Sequence, residues 1–281
     1  MHQHDLPTTK ANTRPRRSLT LLGSLAACLL AFGSTGCTPA SDFGVTIEGP
    51  GLMVGSPVGV DIRNSSGNIF VRADASLIEP VVRATLRSMN AMTDPRPATK
   101  DDGVLVVARG EDAAGRYTLR VEADTDPDVT GRVQVDLDVR VPSIEGLRIQ
   151  NNGGWVRAWG VGGSAQIDNG AANGVEASFI ELRTDRPLNG PVDLRTSNGH
   201  IYLTMGPNSQ GRFDIEVAPG QRYKVDHRLG TMTNIVPETN AWAATFNDGT
   251  FPIRLRPATG DAFVRIYERP MAFTPFGVFT P

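Results

Sequence analysis

Trp155, Arg157 and Trp159 alternate with Val156 and Ala158. In an extended segment that spacing sends the three large side chains to one face and the two small apolar ones to the other. Indole rings flanking a guanidinium on an open face stack on sugar rings or receive an aromatic-rich partner. These three residues are the candidate ligand-binding set. The Pro- and Phe-rich stretch Met271 to Pro281 offers the competing account, in which a neighbouring segment covers the rings.

Other chemistries have less to work with. Asp61 and Asp193 each precede an arginine by two positions, as Asp-x-Arg, and Asp136 and Asp138 share one face of an alternating run. Acids and arginines on an outer face are the equipment of β-helical polysaccharide lyases. An enzyme of that class, acting through Asp193 and Arg195 on an envelope or extracellular polysaccharide, is therefore the alternative reading. A solvated, charged outer face explains the same residues without chemistry. Both cysteines, Cys28 and Cys37, lie near the N-terminus, so the remainder has no thiolate nucleophile, disulfide framework or thiolate metal site. Beyond that segment the histidines are His200 and His227, with no second ligand at metal-binding spacing. No Gly-x-Ser-x-Gly elbow and no phosphate-binding glycine loop occurs. The expectation is no catalytic residue, no metal and no cofactor.

The elements that position these residues follow from a repeat. VDIRNSSGNIFV, Val60 to Val71, returns as VDLRTSNGHIYL, Val192 to Leu203, identical at six of twelve positions. In each copy apolar residues alternate with Asp and Arg, a Ser/Asn-Gly corner follows, and apolar alternation resumes. The glycine supplies the positive φ that a tight corner favours. Weaker copies run from Leu147 to Ala158, with an extra glycine, and from Ala258 to Val264. Further rungs are expected at Ala165–Asn169 and Val175–Phe179. In this register Phe70, Tyr202 and Phe263 take the same outward place among the copies, and His200 stands at an outward corner. Asn64, Asn151, Asn169 and Asn198 recur near corners, where they either stack and bond between coils or simply tolerate turns. Two short strands and a corner cannot bury their own apolar face, but stacked units can.

The predicted class is therefore all-β: a β-solenoid, or β-helix, of short Gly-cornered rungs. Before Pro142 the strands are longer, as in Tyr117–Glu122 and Val133–Val141, and suit a β-sandwich-like portion. The run Leu77 to Met92 fits a short helix or, at Val81–Leu86, a strand. Met92 to Asp102 reads as a loop.

At the N-terminus, Arg14, Arg16 and Arg17 precede an apolar run from Leu19 to Phe32 and then Gly33-Ser34-Thr35-Gly36-Cys37. A basic region, a short apolar core and small residues before a cysteine form a secretory signal of lipoprotein type, with Cys37 the expected lipidated residue. Cleavage would remove Lys10, Arg14, Arg16 and Arg17 but only one acid, Asp5. The remainder is thus more acidic than the whole chain's −2. Nothing in it is basic enough for nucleic acid. The expected organisation is a signal peptide over 1–36, a tether over 37–43, an N-terminal β region over 44–142, a solenoid over 143–267 and a tail over 268–281.

Val135-Asp-Leu-Asp-Val-Arg-Val-Pro142, Gly146-Leu147-Arg148-Ile149, the rung Ser197-Asn-Gly-His-Ile-Tyr-Leu203 and Gly211-Arg-Phe-Asp-Ile215 together resemble the bacterial "putative adhesin" family, a domain of unknown function with β-helical repeats. The resemblance covers about Asp42 to Pro219 and is best from Val133 onward. Past Gln221 the chain departs from the pattern. The resemblance implies a β-solenoid on an envelope protein and supplies no catalytic residues. The combined expectation is a lipid-anchored, non-enzymatic scaffold or binding surface of the bacterial envelope, periplasmic or surface-exposed. Its partners are the membrane through the anchor and a glycan or envelope protein.

Overall fold

The computed structural model describes residues 41–46, 58–89, 98–111, 116–129, 131–171 and 175–272. The signal segment, Cys37 and the tail beyond Ala272 lie outside the described residues.

Nineteen strands are described, with three short 3-10 turns and no α-helix. They are β1 (Ser41–Thr46), β2 (Val58–Asn64), β3 (Ile69–Ala73), β4 (Val81–Ser88), β5 (Gly103–Glu111), β6 (Tyr117–Thr125) and β7 (Val133–Val141). Then follow β8 (Ile144–Asn152), β9 (Gly154–Trp159), β10 (Val161–Gly170), β11 (Ala177–Thr184), β12 (Val192–Thr196) and β13 (Ile201–Met205). The last are β14 (Gly211–Glu216), β15 (Tyr223–His227), β16 (Met232–Pro237), β17 (Ala241–Phe246), β18 (Pro252–Pro257) and β19 (Ala262–Ile266). The 3-10 turns are Lys100–Asp102, Pro127–Val129 and Pro270–Ala272.

Two mixed sheets result. Sheet A has the order β1-β4-β7-β3-β9-β11-β13-β19-β15, and sheet B β16-β17-β14-β18-β12-β10-β8-β2-β6-β5. Each coil is one strand of sheet B, a corner and one strand of sheet A. Along the stack the coils run β6/β7, β2/β3, β8/β9, β10/β11, β12/β13, β18/β19 and β14/β15, paired in parallel at every step. This is the two-sheeted solenoid expected of the repeat. The doubled twelve-mer forms the coils β2/β3 and β12/β13.

Three expectations change. The solenoid does not begin at 143, because β2 and β3 are already rungs, seated directly against β8 and β9. The long N-terminal strands do not form a separate sandwich. β6 and β7 make the first coil, while β5 runs antiparallel on β6 and β4 on β7. The ambiguous run is strand β4, and β1, which includes Ser41 to Phe43 of the expected tether, pairs with it. Past Gln221 the solenoid continues in an order the sequence does not show. β18/β19, late in the chain, insert between β12/β13 and β14/β15. Antiparallel β17 then covers β14, and β16 covers β17. Antiparallel strands at stack ends protect edges that would otherwise template further pairing.

Register makes the core. Val121, Ile62, Ile149, Ile167, Leu194, Leu255 and Ile215 are successive partners across sheet B. Leu137, Ile69, Val156, Ile180, Ile201 and Ala262 are the counterpart row of sheet A. All are buried in one cluster, each large aliphatic contributing about 1.5–3 kcal/mol by leaving water.

The corners add a second ladder. Asn64 Nδ2 donates to Asn151 Oδ1 at 3.0 Å, and Asn151 Nδ2 to Asn169 Oδ1 at 2.9 Å. These three amides are 3%, 1% and 0% exposed. The coil-to-coil stacking expected of the corner asparagines thus holds for three of them. At the next rung Thr196 takes the inward place, and Asn198 lies beyond the corner, bonded to Glu176 and Thr259. Gly199, at φ +83°, is required twice over, because a Cβ there would sit 2.2 Å from Ser178 O of the neighbouring coil.

Candidate functional site

The outer face of sheet A carries the aromatics. Strand β9 places Val156 and Ala158 in the core and Trp155, Arg157 and Trp159 outside, all three half-buried. Phe70, Tyr202 and Phe263 also point outward and are half-buried. The extra glycine therefore causes no slip of register: Gly153 and Gly154 both have positive φ and absorb it in the corner.

These residues form two groups rather than one. Trp155 stacks with Phe179, centroids 6.1 Å apart and planes 6° from parallel. Phe179 meets Tyr202 edge-on at 6.2 Å, and Tyr202 stacks on Phe263 at 5.1 Å. The Arg157 guanidinium carbon lies 4.9 Å from the Trp155 centroid and 5.1 Å from that of Phe179. Trp159 belongs to the other group. Its ring meets Phe70 edge-on at 4.8 Å, and the Arg183 guanidinium lies 5.3 Å from it.

Glu181 joins the groups. Its carboxylate accepts from Arg183 and lies 3.3 Å from Arg157 Nε. Glu181 and Arg183 side chains are 4% and 3% exposed, although they point away from the core. Burial there needs cover, and the turn Pro270–Ala272, the start of the expected tail, packs on β11. Burial, with the Asp261 and Glu181 carboxylates adding to it, raises the Tyr202 phenol above its ordinary pKa. The indole nitrogen of Trp159 is buried without an acceptor among the described residues.

Phe179, Glu181 and Arg183 were not legible as members of the site. Continued alternation from Val175 and Ala177 would turn Phe179 inward. A register shift between Ala177 and Ile180 turns it outward instead, and bulges of this kind commonly re-aim a side chain. His200 sits at the corner as expected, its Nδ1 accepting the Asp261 backbone N–H at 2.9 Å. Its ring flanks Tyr202 and Phe263, each centroid 5.9 Å away.

The acids of the alternative reading are split: Asp61 and Asp193 lie on the outer face of sheet B, whereas Asp136 and Asp138 are on β7 of sheet A, where Asp138 is the register partner of Phe70. Asp61 and Asp193 share one row, and Asp193 is clasped by Arg195 through Nε at 3.0 Å and Nη2 at 2.7 Å. That pairing raises the pKa of Arg195 further. Asp138 is held the same way by Arg140, at 2.7 Å. A bidentate guanidinium occupies the lone pairs a general base would use. Among the described residues no three of His, Cys, Asp and Glu gather in a metal-binding group.

No family model matches the chain, and no curated protein matches it. Among solved structures, 82% of the chain aligns with all of a "putative cell adhesion protein" from Clostridium sporogenes, at 7% identity and TM-score 0.49. The same share aligns with 96% of a "putative adhesin" from Parabacteroides merdae, at 8% identity and TM-score 0.26. At those values the fold rests on its own strand pairing.

Proposed function

We propose that this protein is a non-enzymatic β-solenoid of the bacterial envelope, anchored through a lipid on Cys37, that binds glycan on the outer face of sheet A. The observation that carries this reading is the continuous assembly of Trp155, Phe179, Tyr202 and Phe263 with Arg157 against two of its rings. Rigid rings spaced by the strand ladder offer flat apolar faces, and the guanidinium beside them offers planar donors for hydroxyl oxygens. The half-burial of each ring leaves an amphipathic surface in place of a pocket. The arginine-bound outer acids support binding without turnover.

The test is the full chain, purified in detergent, on a glycan array with product analysis of every hit. Binding without cleavage is expected, reduced about tenfold by Trp155→Ala, with unchanged circular dichroism. Cleaved products, or the absence of any hit weakened by Trp155→Ala or Arg157→Ala, would sink the reading.

A further inference from the structure

The outer face of sheet B holds a second, chemically different cleft of about 420 Å³, within the roughly 300–1,000 Å³ of small-molecule sites. Its floor is the register row Thr118, Gly59, Gly146 and Ser164, four neighbouring strands with two glycines at the centre. With no side chains there, the peptide planes form a flat bed. The next row, Asp61, Arg148 and Gln166, forms one wall.

That wall is one place where charge pairing along sheet B fails. Outer residues in one row run Arg120, Asp61, Arg148, Gln166, Asp193, Arg254 and Asp214 from strand to strand. The signs alternate apart from Gln166, a neutral residue between Arg148 and Asp193. Asp61 is shared with Arg120, whose Nη2 lies 3.9 Å from Oδ2. Asp193 is taken by Arg195. Among the described residues, Arg148 and Gln166 consequently hold no hydrogen bond or ion pair. The other carboxylate at the cleft, Glu145, is neutralised by Arg186. Asp61 Oδ1 is buried with no donor, a state that costs free energy unless a ligand or water supplies one.

We infer that this cleft binds a carboxylated sugar, the uronate unit of an acidic polysaccharide. The ring lies on the Gly59–Gly146 bed. Its carboxylate pairs with Arg148, one hydroxyl donates to the Asp61 carboxylate, and others meet Gln166, Ser164 and Thr118. Arg116 also lines the cleft but has a partner of its own, so the open charge is that of Arg148, which beside a carboxylate suits one negative charge among several hydroxyls. A phosphate monoester, with nearly twice the charge, would be repelled more strongly by Asp61. The site does not depend on the aromatic face of sheet A.

The test is isothermal titration of the full chain in detergent with tetragalacturonate, and with maltotetraose as its neutral counterpart. Tetragalacturonate should bind at least about tenfold more tightly than maltotetraose, and Arg148→Ala should remove about tenfold. Gly146→Phe should abolish binding by filling the bed. A Cβ at 146 meets only Ser164 Oγ, at 3.6 Å, so the melting temperature should hold. Arg254→Ala removes the same charge farther along the row and should leave affinity within about twofold. Absence of tetragalacturonate binding would overturn the inference. So would equal affinity for maltotetraose, insensitivity to both Arg148→Ala and Gly146→Phe, or an equal loss with Arg254→Ala.

Discussion

The two outer faces of the solenoid share strand spacing, register and core, yet they solve opposite problems. On sheet B a second row runs Glu122, Arg63, Gln150, Asp168, Arg195 and Arg256, with opposite signs at Glu122/Arg63 and at Asp168/Arg195. Two of its arginines, Arg195 and Arg256, reach acids at short range while staying wet. Arg195 and Asp193 side chains are 53% and 23% exposed. On sheet A the corresponding places hold rings along with charges, and two of those charges are dry: Glu181 and Arg183 are nearly sealed. Opposite charges on neighbouring strands favour one register and discourage slippage. Rings at the same spacing do neither job as specifically, and they expose apolar surface that a solvated face would avoid. One face therefore reads as structural alternation with a gap, the other as a surface built for contact.

The largest predicted effect strikes the dry face. Glu181→Ala leaves Arg183 buried without its carboxylate and takes the anion from Arg157. Removing one partner of a buried pair costs about 3–5 kcal/mol, read as a lower denaturant midpoint. Asp193→Ala, the nearest equivalent on the wet face, should cost under about 1 kcal/mol. Equal losses would erase the contrast between the faces.

The second prediction concerns what both faces share. Asn151 donates to Asn169 Oδ1 and to the carbonyls of Gly67 and Gly153, and accepts from Asn64. Asn151→Leu keeps the bulk but orphans those buried groups, at about 1–3 kcal/mol for each one that water cannot reach. It should therefore weaken the stack whichever face is being probed. A shift in midpoint with unchanged glycan binding on the folded fraction is expected. Loss of binding at one face alone, with stability intact, would show that the ladder serves a site and not the stack.

Much of this was legible before any coordinates, and for a stated reason. The Val-Asp-Leu-Arg alternation fixes which side faces the core, so the inward row and the outward Trp155, Arg157 and Trp159 follow from period two. The recurrence of Asn64, Asn151 and Asn169 at corners allowed the ladder as one of two readings, the other being tolerance of turns. Three things were hidden. Phe179 depends on a bulge that alternation cannot show. The insertion of β18/β19 into the stack is a matter of long-range pairing, for which β18 carries the same local pattern as any rung. The open cation at Arg148 exists only as a relation between strands: Asp61, Gln166 and Asp193 are ordinary surface residues until register lines them up.

The smallest predicted effect tests whether the wet face is held by electrostatics at all. Arg256 donates to Glu216 Oε2 at 2.9 Å and to Asp214 Oδ2 at 2.8 Å. The hydrogen bond from Arg256, helped by its charge and that of Arg254 and opposed by slight burial, holds Glu216 below the usual carboxylate value. A carboxylate whose pKa is lower in the folded state stabilises the fold above the unfolded pKa, and loses that contribution as pH falls through the folded one. Stability should therefore drop on acidification below the ordinary glutamate range, and Arg256→Ala should shrink that drop. Because the pair is largely solvent-exposed, the difference near neutral pH stays under about 1 kcal/mol and fades as salt is raised. Glu181→Ala, whose partner Arg183 is sealed from solvent, should respond little to salt. Melting curves of both variants at low and high ionic strength separate the faces: salt should close the gap between Arg256→Ala and wild type but not that of Glu181→Ala. If both gaps close together, the charges of sheet A are as wet as those of sheet B, and the aromatic face loses the dry network that distinguishes it.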